Sequence, residues 1–229
     1  MSLKPLKKSE IKKAKEKLKA KKRTEEFPLL PPRILVVSEG TKTEPYYVQC
    51  FAKKINDKYR KFSANPRIVV EGTGRNTIAL YSFLEDNFSS KELAEYQQIW
   101  LMYDKDDFPT DRFDNAFFKA NSDKSHRFHA AWSNESFELW LLWHFQDYTS
   151  DTHRSGYIKS LKKYIPDYDK GIQEVFERII DIGNVDEAVK RGKSQAQYYK
   201  DLGISTPSQM KAHSTVYELV EELRKYCLV

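Results

Sequence analysis

Arg33-Ile-Leu-Val-Val-Ser-Glu-Gly-Thr-Lys-Thr43 is the stretch on which the fold turns. Ile34 to Val37 are apolar and mostly β-branched, without the polar alternation of a half-wetted strand. That is the pattern of a strand covered on both faces, and such strands belong to parallel sheets. The run stops at a polar, glycine-containing loop, Glu39-Gly40-Thr41-Lys42-Thr43. Glu44 to Asp57 then reads as a helix, with Tyr47, Phe51 and Ile55 spaced by four and Pro45 in the first turn. The unit is strand, loop, helix.

The unit recurs along the chain. Arg67 to Glu71, with Ile68, Val69 and Val70, is a second strand ended by Gly72-Thr73-Gly74, and Asn76 is a candidate cap for a helix through Leu80, Phe83 and Leu84. Gln98 to Tyr103 is a third apolar run, stopping at Asp104-Lys-Asp-Asp107, and a helix over Asp111 to Ala120 follows. His126 to Trp132 is a weaker fourth strand, and Ser133-Asn134 precede the most hydrophobic helix, Glu135 to Phe145. Strand and helix alternating at roughly 30-residue intervals predict an α/β fold, an open, mostly parallel sheet with helices on both faces. From Tyr148 onward strand signals vanish, and Tyr157–Tyr164, Gly171–Ile182, Val185–Leu202 and Thr215–Cys227 read as a helical C-terminal elaboration. The expected organisation is a basic tail over 1–32, an α/β domain over 33–147 and the helical elaboration over 148–229, packed on the same domain.

The chain has 229 residues and a formal charge of +6. Residues 1–26 hold eleven Lys or Arg against four acids, so the remainder, with 28 bases and 29 acids, is net −1. The whole excess sits on a lysine- and alanine-rich tail that reads as a solvated helix or a disordered extension, with phosphate seeking or partner binding as its functional alternatives. Pro28, Pro31 and Pro32 end any helix there. No run approaches the ~18 apolar residues of a membrane span, and the N-terminus lacks the apolar core of a secretory signal. Cys50 and Cys227 are too few and too isolated for a disulfide framework or a cysteine zinc site. A cytoplasmic protein with no membrane association is expected.

The informative charge is negative. In open parallel sheets ligands bind beyond the carboxyl ends of the strands. Glu39 follows the first strand, and Asp104, Asp106 and Asp107 follow the third, so neighbouring strands would bring these carboxylates to one edge. Like charges that close repel by several kcal/mol in a partly dry site, and a divalent cation is the usual remedy. Hard oxygen donors without cysteine or clustered histidine favour Mg2+ or Mn2+ over zinc. Glu138, inside the apolar run Phe137 to Trp143, either joins that cluster as a further ligand or pairs with a lysine or arginine. Lys42 is a candidate partner for a substrate phosphate, or a solvated loop lysine. The histidines, His126, His129, His144, His153 and His213, make no ligand spacing with an acid and read as surface or packed residues.

Taken together, Val36-Val-Ser-Glu39-Gly-Thr-Lys-Thr-Glu44-Pro-Tyr-Tyr47, Tyr103-Asp-Lys-Asp106-Asp, Ser133-Asn134 with Phe137-Glu-Leu-Trp140, and Ser214-Thr-Val216 with Leu219-Val220 and Leu223 resemble the RloB-like family, related to AbiL components. The resemblance spans Ile34 to Leu223. Glu135 departs from it, since a proline or small residue is expected after the asparagine. RloB-like proteins in turn resemble the Toprim group, the Rossmann-like metal-binding domain shared with topoisomerases, DnaG-type primases and OLD-family nucleases. That resemblance implies acid/base chemistry at Glu39 and Mg2+ held by Asp104 and Asp106. It further implies an ABC-type or SMC-like, RloA-like ATPase partner and a setting in phage defence. The chain has no Gly-x-x-x-x-Gly-Lys-Ser/Thr loop of its own.

The expected function is therefore a Mg2+-dependent Toprim-type nuclease acting on DNA or RNA, with tRNA among its candidates. Asp104 and Asp106 would hold the metal, and Glu39 would share it or activate water. Since the body is net −1, Lys159, Lys162, Lys163, Lys190, Arg191 and Lys193 are the candidate grip on nucleic acid. The rival is a non-catalytic regulatory subunit of the ATPase complex. A receiver-like phosphoacceptor fits less well because only Glu39 follows the first strand, and a haloacid-dehalogenase-type phosphatase because Phe108 stands where a small or branched residue is wanted. An oligomer is compatible with all of these.

Overall fold

The computed structural model describes residues 12–13, 30–107 and 109–227. The chain divides into two compact units, Met1–Leu30 and Pro31–Val229. In the first, Lys12 and Lys13 are helical and exposed; the remaining expectations for the tail, and that for Phe108, lie outside the described residues.

The second unit is built on a five-stranded sheet of order β2-β1-β3-β4-β5. Its strands are β1 (Ile34–Ser38), β2 (Ile68–Gly72), β3 (Gln98–Asp104), β4 (Phe128–Asn134) and β5 (His213–Ser214). β2, β1, β3 and β4 run parallel, while β5 pairs antiparallel with β4. The described helices are α1 (Thr43–Tyr59), α2 (Ala79–Asn87), α3 (Ser90–Ala94), α4 (Thr110–Asn121), α5 (Glu138–Leu142), α6 (Arg154–Leu161), α7 (Gln173–Ile182), α8 (Val185–Asp201) and α9 (Val216–Cys227).

Both faces of the sheet are dry, as the unbroken apolar strands require. Ile34, Val36, Trp100 and Met102 point to one face and meet α1, α5 and the helices from α6 to α9 in one core. Leu35, Val37, Ile99, Leu101 and Tyr103, one residue out of phase, meet α2 and α4 on the other. The helices of the C-terminal third thus share a core with β1 and β3.

Four elements differ from the sequence reading, one of them α6, which lies three residues earlier than the expected Tyr157–Tyr164. β5 exists although no strand signal is present beyond Tyr148. It has only two residues and is held by pairing with Ser133 and Asn134, while the Thr215 hydroxyl bridges the Trp132 N–H and the Ala130 carbonyl. The short α3 rests on a Ser89/Glu92 capping box and sets only Leu93, partly buried, against the core, so apolar periodicity cannot reveal it. The helix expected from Glu135 begins at Glu138 and ends at Leu142, because the chain leaves β4 through a bend and the Asp106 N–H is tied to the Glu135 carbonyl. Among the described residues no helix is long and apolar enough to cross a membrane.

Candidate functional site

The strand order puts the reversal of connection between β1 and β3, where a doubly wound sheet opens its crevice. Glu39 leaves β1 with its N–H donated to the Met102 carbonyl at 2.9 Å, and so is laced to β3; Asp104 is the last residue of β3. Between them lies a cleft of about 310 Å3 whose lining includes Glu39, Lys42, Glu44, Asp104, Asp106 and Arg154. A larger hollow of about 650 Å3 lies against α8, but its charges are already matched, Arg191 with Asp147 and Lys190 with Glu187. The smaller cleft holds the unbalanced chemistry.

Glu39 is half-buried, and Thr77 donates its hydroxyl to Oε2 at 3.2 Å. Burial, then the nearby Asp106 and Glu44 carboxylates, push its pKa up to about 7 against the pull of Thr77. Asp104 accepts the Phe137 N–H at 3.0 Å through Oδ2. Its pKa is well above the ordinary carboxylate range because it is desolvated and faces Glu44 and Glu138.

Glu44 is the acid that sequence reading assigned only to a helix start. At the beginning of α1 it is 7 % exposed, and its carboxylate folds back over the β1 loop: a Cβ on Gly40 would lie 2.2 Å from Oε2. Gly40 is therefore what lets Glu44 reach the cleft. Burial, followed by Glu138 and Asp106, raises its pKa, with Lys170 opposing. The available signal was positional: in a strand–loop–helix unit the first helical turn abuts the strand's carboxyl end.

Asp106 and Glu138 each have a cationic partner. Asp106 adopts φ 45°, in the left-handed region that aspartate tolerates. Its carboxylate pairs with the Arg154 guanidinium, which also lies 3.5 Å from Asp107. Glu138 is fully buried; Ser136 donates to it at 2.7 Å, Tyr168 at 3.1 Å, and the Lys170 ammonium sits at 2.6 Å. Of the two readings of Glu138, the lysine pair is realised, and both its oxygens are engaged. Lys42 is exposed at the cleft mouth. Arg154 and Lys170 carried no motif and were not singled out by sequence; their approach is purely tertiary.

The histidine expectation needs one correction. His153 comes together with Asp107 and Glu135, their ligand atoms all within 4.8 Å of one another, because the turn after β3 and the start of α6 meet in space. The His153 Nδ1 accepts the Ser155 N–H at 3.3 Å to cap α6. The His153 Nε2 lies 4.0 Å from Glu135 Oε1, beyond hydrogen-bond reach. His144 and His213 are buried in the core. Of the basic candidates, Lys190, Arg191 and Lys193 are paired with Glu187, Asp147 and Glu221, while Lys159, Lys162 and Lys163 are exposed.

The cleft thus offers hard oxygen donors with too little positive charge, the donor set suited to a small divalent cation. A family model described as RloB-like protein matches residues 34–223. No curated protein matches the chain.

Proposed function

The chain belongs to the RloB-like protein family, and from that premise, together with the acidic cleft, we propose that it is a divalent-cation-dependent phosphodiesterase of the Toprim type that cleaves nucleic acid. The observation that carries this reading is the convergence of Glu39, Glu44 and Asp104 at the β1/β3 reversal, all three with pKa values raised by burial and by neighbouring carboxylates, Asp106 among them in each case. Carboxylates in that condition accept either protons or a cation. Asp104 and Asp106 would hold Mg2+ or Mn2+, with Glu39 and Glu44 at hand. Bound there, the cation would supply charge neutralisation to an attacked phosphoryl group.

The remaining steps fall to the chain's own groups. Glu39, oriented by Thr77, would either share that cation or take a proton from an attacking water. The Phe137 N–H fixes the Asp104 carboxylate, so its direction is set before substrate arrives. Lys42 and Arg154 at the mouth can each bind a phosphate oxygen, and the body's lack of net positive charge makes such local contacts necessary. An ABC-type or SMC-like ATPase partner and a role in phage defence belong to the same proposal, supported by the family resemblance.

A second reading, a non-catalytic subunit of such a complex, draws on the internal pairing of Asp106 with Arg154 and Glu138 with Lys170, which partly neutralises the cleft without any metal. Cleavage of plasmid DNA and of tRNA with Mn2+ decides between them, run for wild type, Glu39→Gln and Asp104→Asn, with and without the ATPase. Catalysis predicts that either substitution lowers the rate by ~10²-fold or more. Wild-type cleavage no higher than that of the variants would remove the enzyme reading.

A further inference from the structure

Arg154 is the first residue of α6, a position where the helix dipole disfavours a cation. The helix itself gives no reason for a guanidinium there. Its charge is directed across the cleft instead, to Asp106 and, at 3.5 Å, Asp107. This pair differs in kind from Lys170 and Glu138. Glu138 is 0 % exposed and further held by Ser136 and Tyr168, so Lys170, although its own side chain is 46 % exposed, cannot leave without stranding a buried carboxylate. Arg154 and Asp106 each keep 27 % of their side-chain surface in contact with solvent, although the Asp106 Oδ1 that meets the guanidinium is itself covered, so the guanidinium can leave once a cation takes its place on that oxygen. Asp106 is displayed toward the cleft by its left-handed turn, and that turn is stapled to the exit of β4 by the Lys105 N–H to Ser133 and the Asp106 N–H to Glu135. The carboxylate therefore stays in place while its partner is free to change.

Resting on the reading of the cleft as a divalent-cation site, we propose that Arg154 is an exchangeable counter-ion: it holds Asp106 while the cation is absent, yields that carboxylate when the cation binds, and then takes a phosphate oxygen of the substrate. A guanidinium suits both partners, since its planar fork matches carboxylate and phosphate geometry alike. Arg154 is in this sense a substrate-positioning residue whose resting contact keeps the acids apart from one another's charge.

The test is Mn2+ titration calorimetry on the full chain for wild type, Arg154→Gln and Arg154→Lys, with melting temperatures as a check on folding. Arg154→Gln removes a competitor and is expected to bind Mn2+ about fivefold more tightly, which is ~1 kcal/mol at 25 °C. Arg154→Lys, keeping the charge but not the fork, is expected to gain only about twofold. In parallel, a labelled single-stranded oligonucleotide, DNA in one arm and RNA in the other, is titrated with Ca2+ as the cation. Arg154→Gln should weaken its binding in whichever arm binds, and Arg154→Lys should restore most of it. Wild-type Mn2+ binding with unchanged or weaker affinity in a folded Arg154→Gln overturns the exchange alone. If Arg154→Gln does not fold, an unchanged affinity in Arg154→Lys overturns it equally. A wild type that binds no Mn2+ overturns the cation reading of the cleft and the exchange with it.

Discussion

Glu39 lies half-buried beside Thr77 with its pKa near 7, against 4.5 for an unhindered glutamate. Between those two values the folded state binds more protons than the unfolded one, so the stability Glu39 contributes is fully present below pH 4.5 and is lost as pH rises through about 7. Buried His144 and His213, held down to about 4, work in the opposite sense between there and their ordinary value of 6.5. They are unchanged in Glu39→Gln, so the difference between wild type and that variant reports the glutamate together with its effect on neighbouring Glu44. Metal-free melting curves should show wild type losing on the order of 1–3 kcal/mol relative to Glu39→Gln between pH 5 and pH 8. A difference that stays flat over that range would mean Glu39 is ionised throughout. Added Mn2+ should stabilise wild type more at pH 8 than at pH 5, because at the lower pH protons already occupy the carboxylates.

α8 and α9 cross where Gly192 meets Tyr217: a Cβ on Gly192 would lie 2.5 Å from Cδ1 of the ring. Alanine is favoured over glycine in a helix by ~1 kcal/mol, while overpacking a tight contact costs ~1–3 kcal/mol. Here the ring lies between packed helices, so packing decides and Gly192→Ala should destabilise the protein, read as a lower urea midpoint. An increase would mean that the two helices separate without cost. How far such elements are legible depends on where their information lies. β1, β3, α1 and α4 are visible in the sequence because a buried strand and an amphipathic helix each write their burial into adjacent residues, and the strand-end acids follow from them. β5 is not, since two residues carry no period and the pairing comes from Ser133, Asn134 and Thr215 far away in the chain. The site divides likewise. Glu39, Asp104 and Asp106 are readable from strand ends, whereas Glu44 depends on a backward fold over Gly40. Arg154 and Lys170 depend on the return of distant loops to the sheet edge.

Across the whole molecule charge is divided by position: the basic surplus belongs to residues 1–26, and the rest is net −1 with acids gathered at one sheet edge. Deleting residues 1–26 should therefore lower affinity for nucleic acid and flatten its salt dependence, measured by anisotropy across a KCl series, while leaving Mn2+ binding intact. Loss of Mn2+ binding on deletion would make the tail part of the site. The order of the chain has a further consequence for its synthesis. Glu39, Glu44, Asp104 and Asp106 all precede Arg154 and Lys170, and α9, the last described helix, shares a core with α1, the first of the sheet unit. A chain emerging from the ribosome thus carries its acids before their counter-ions and its first helix before the cover for it. The acids meet their restraint only once Arg154 and Lys170 have emerged, and a product truncated before Arg154 retains the acids without them.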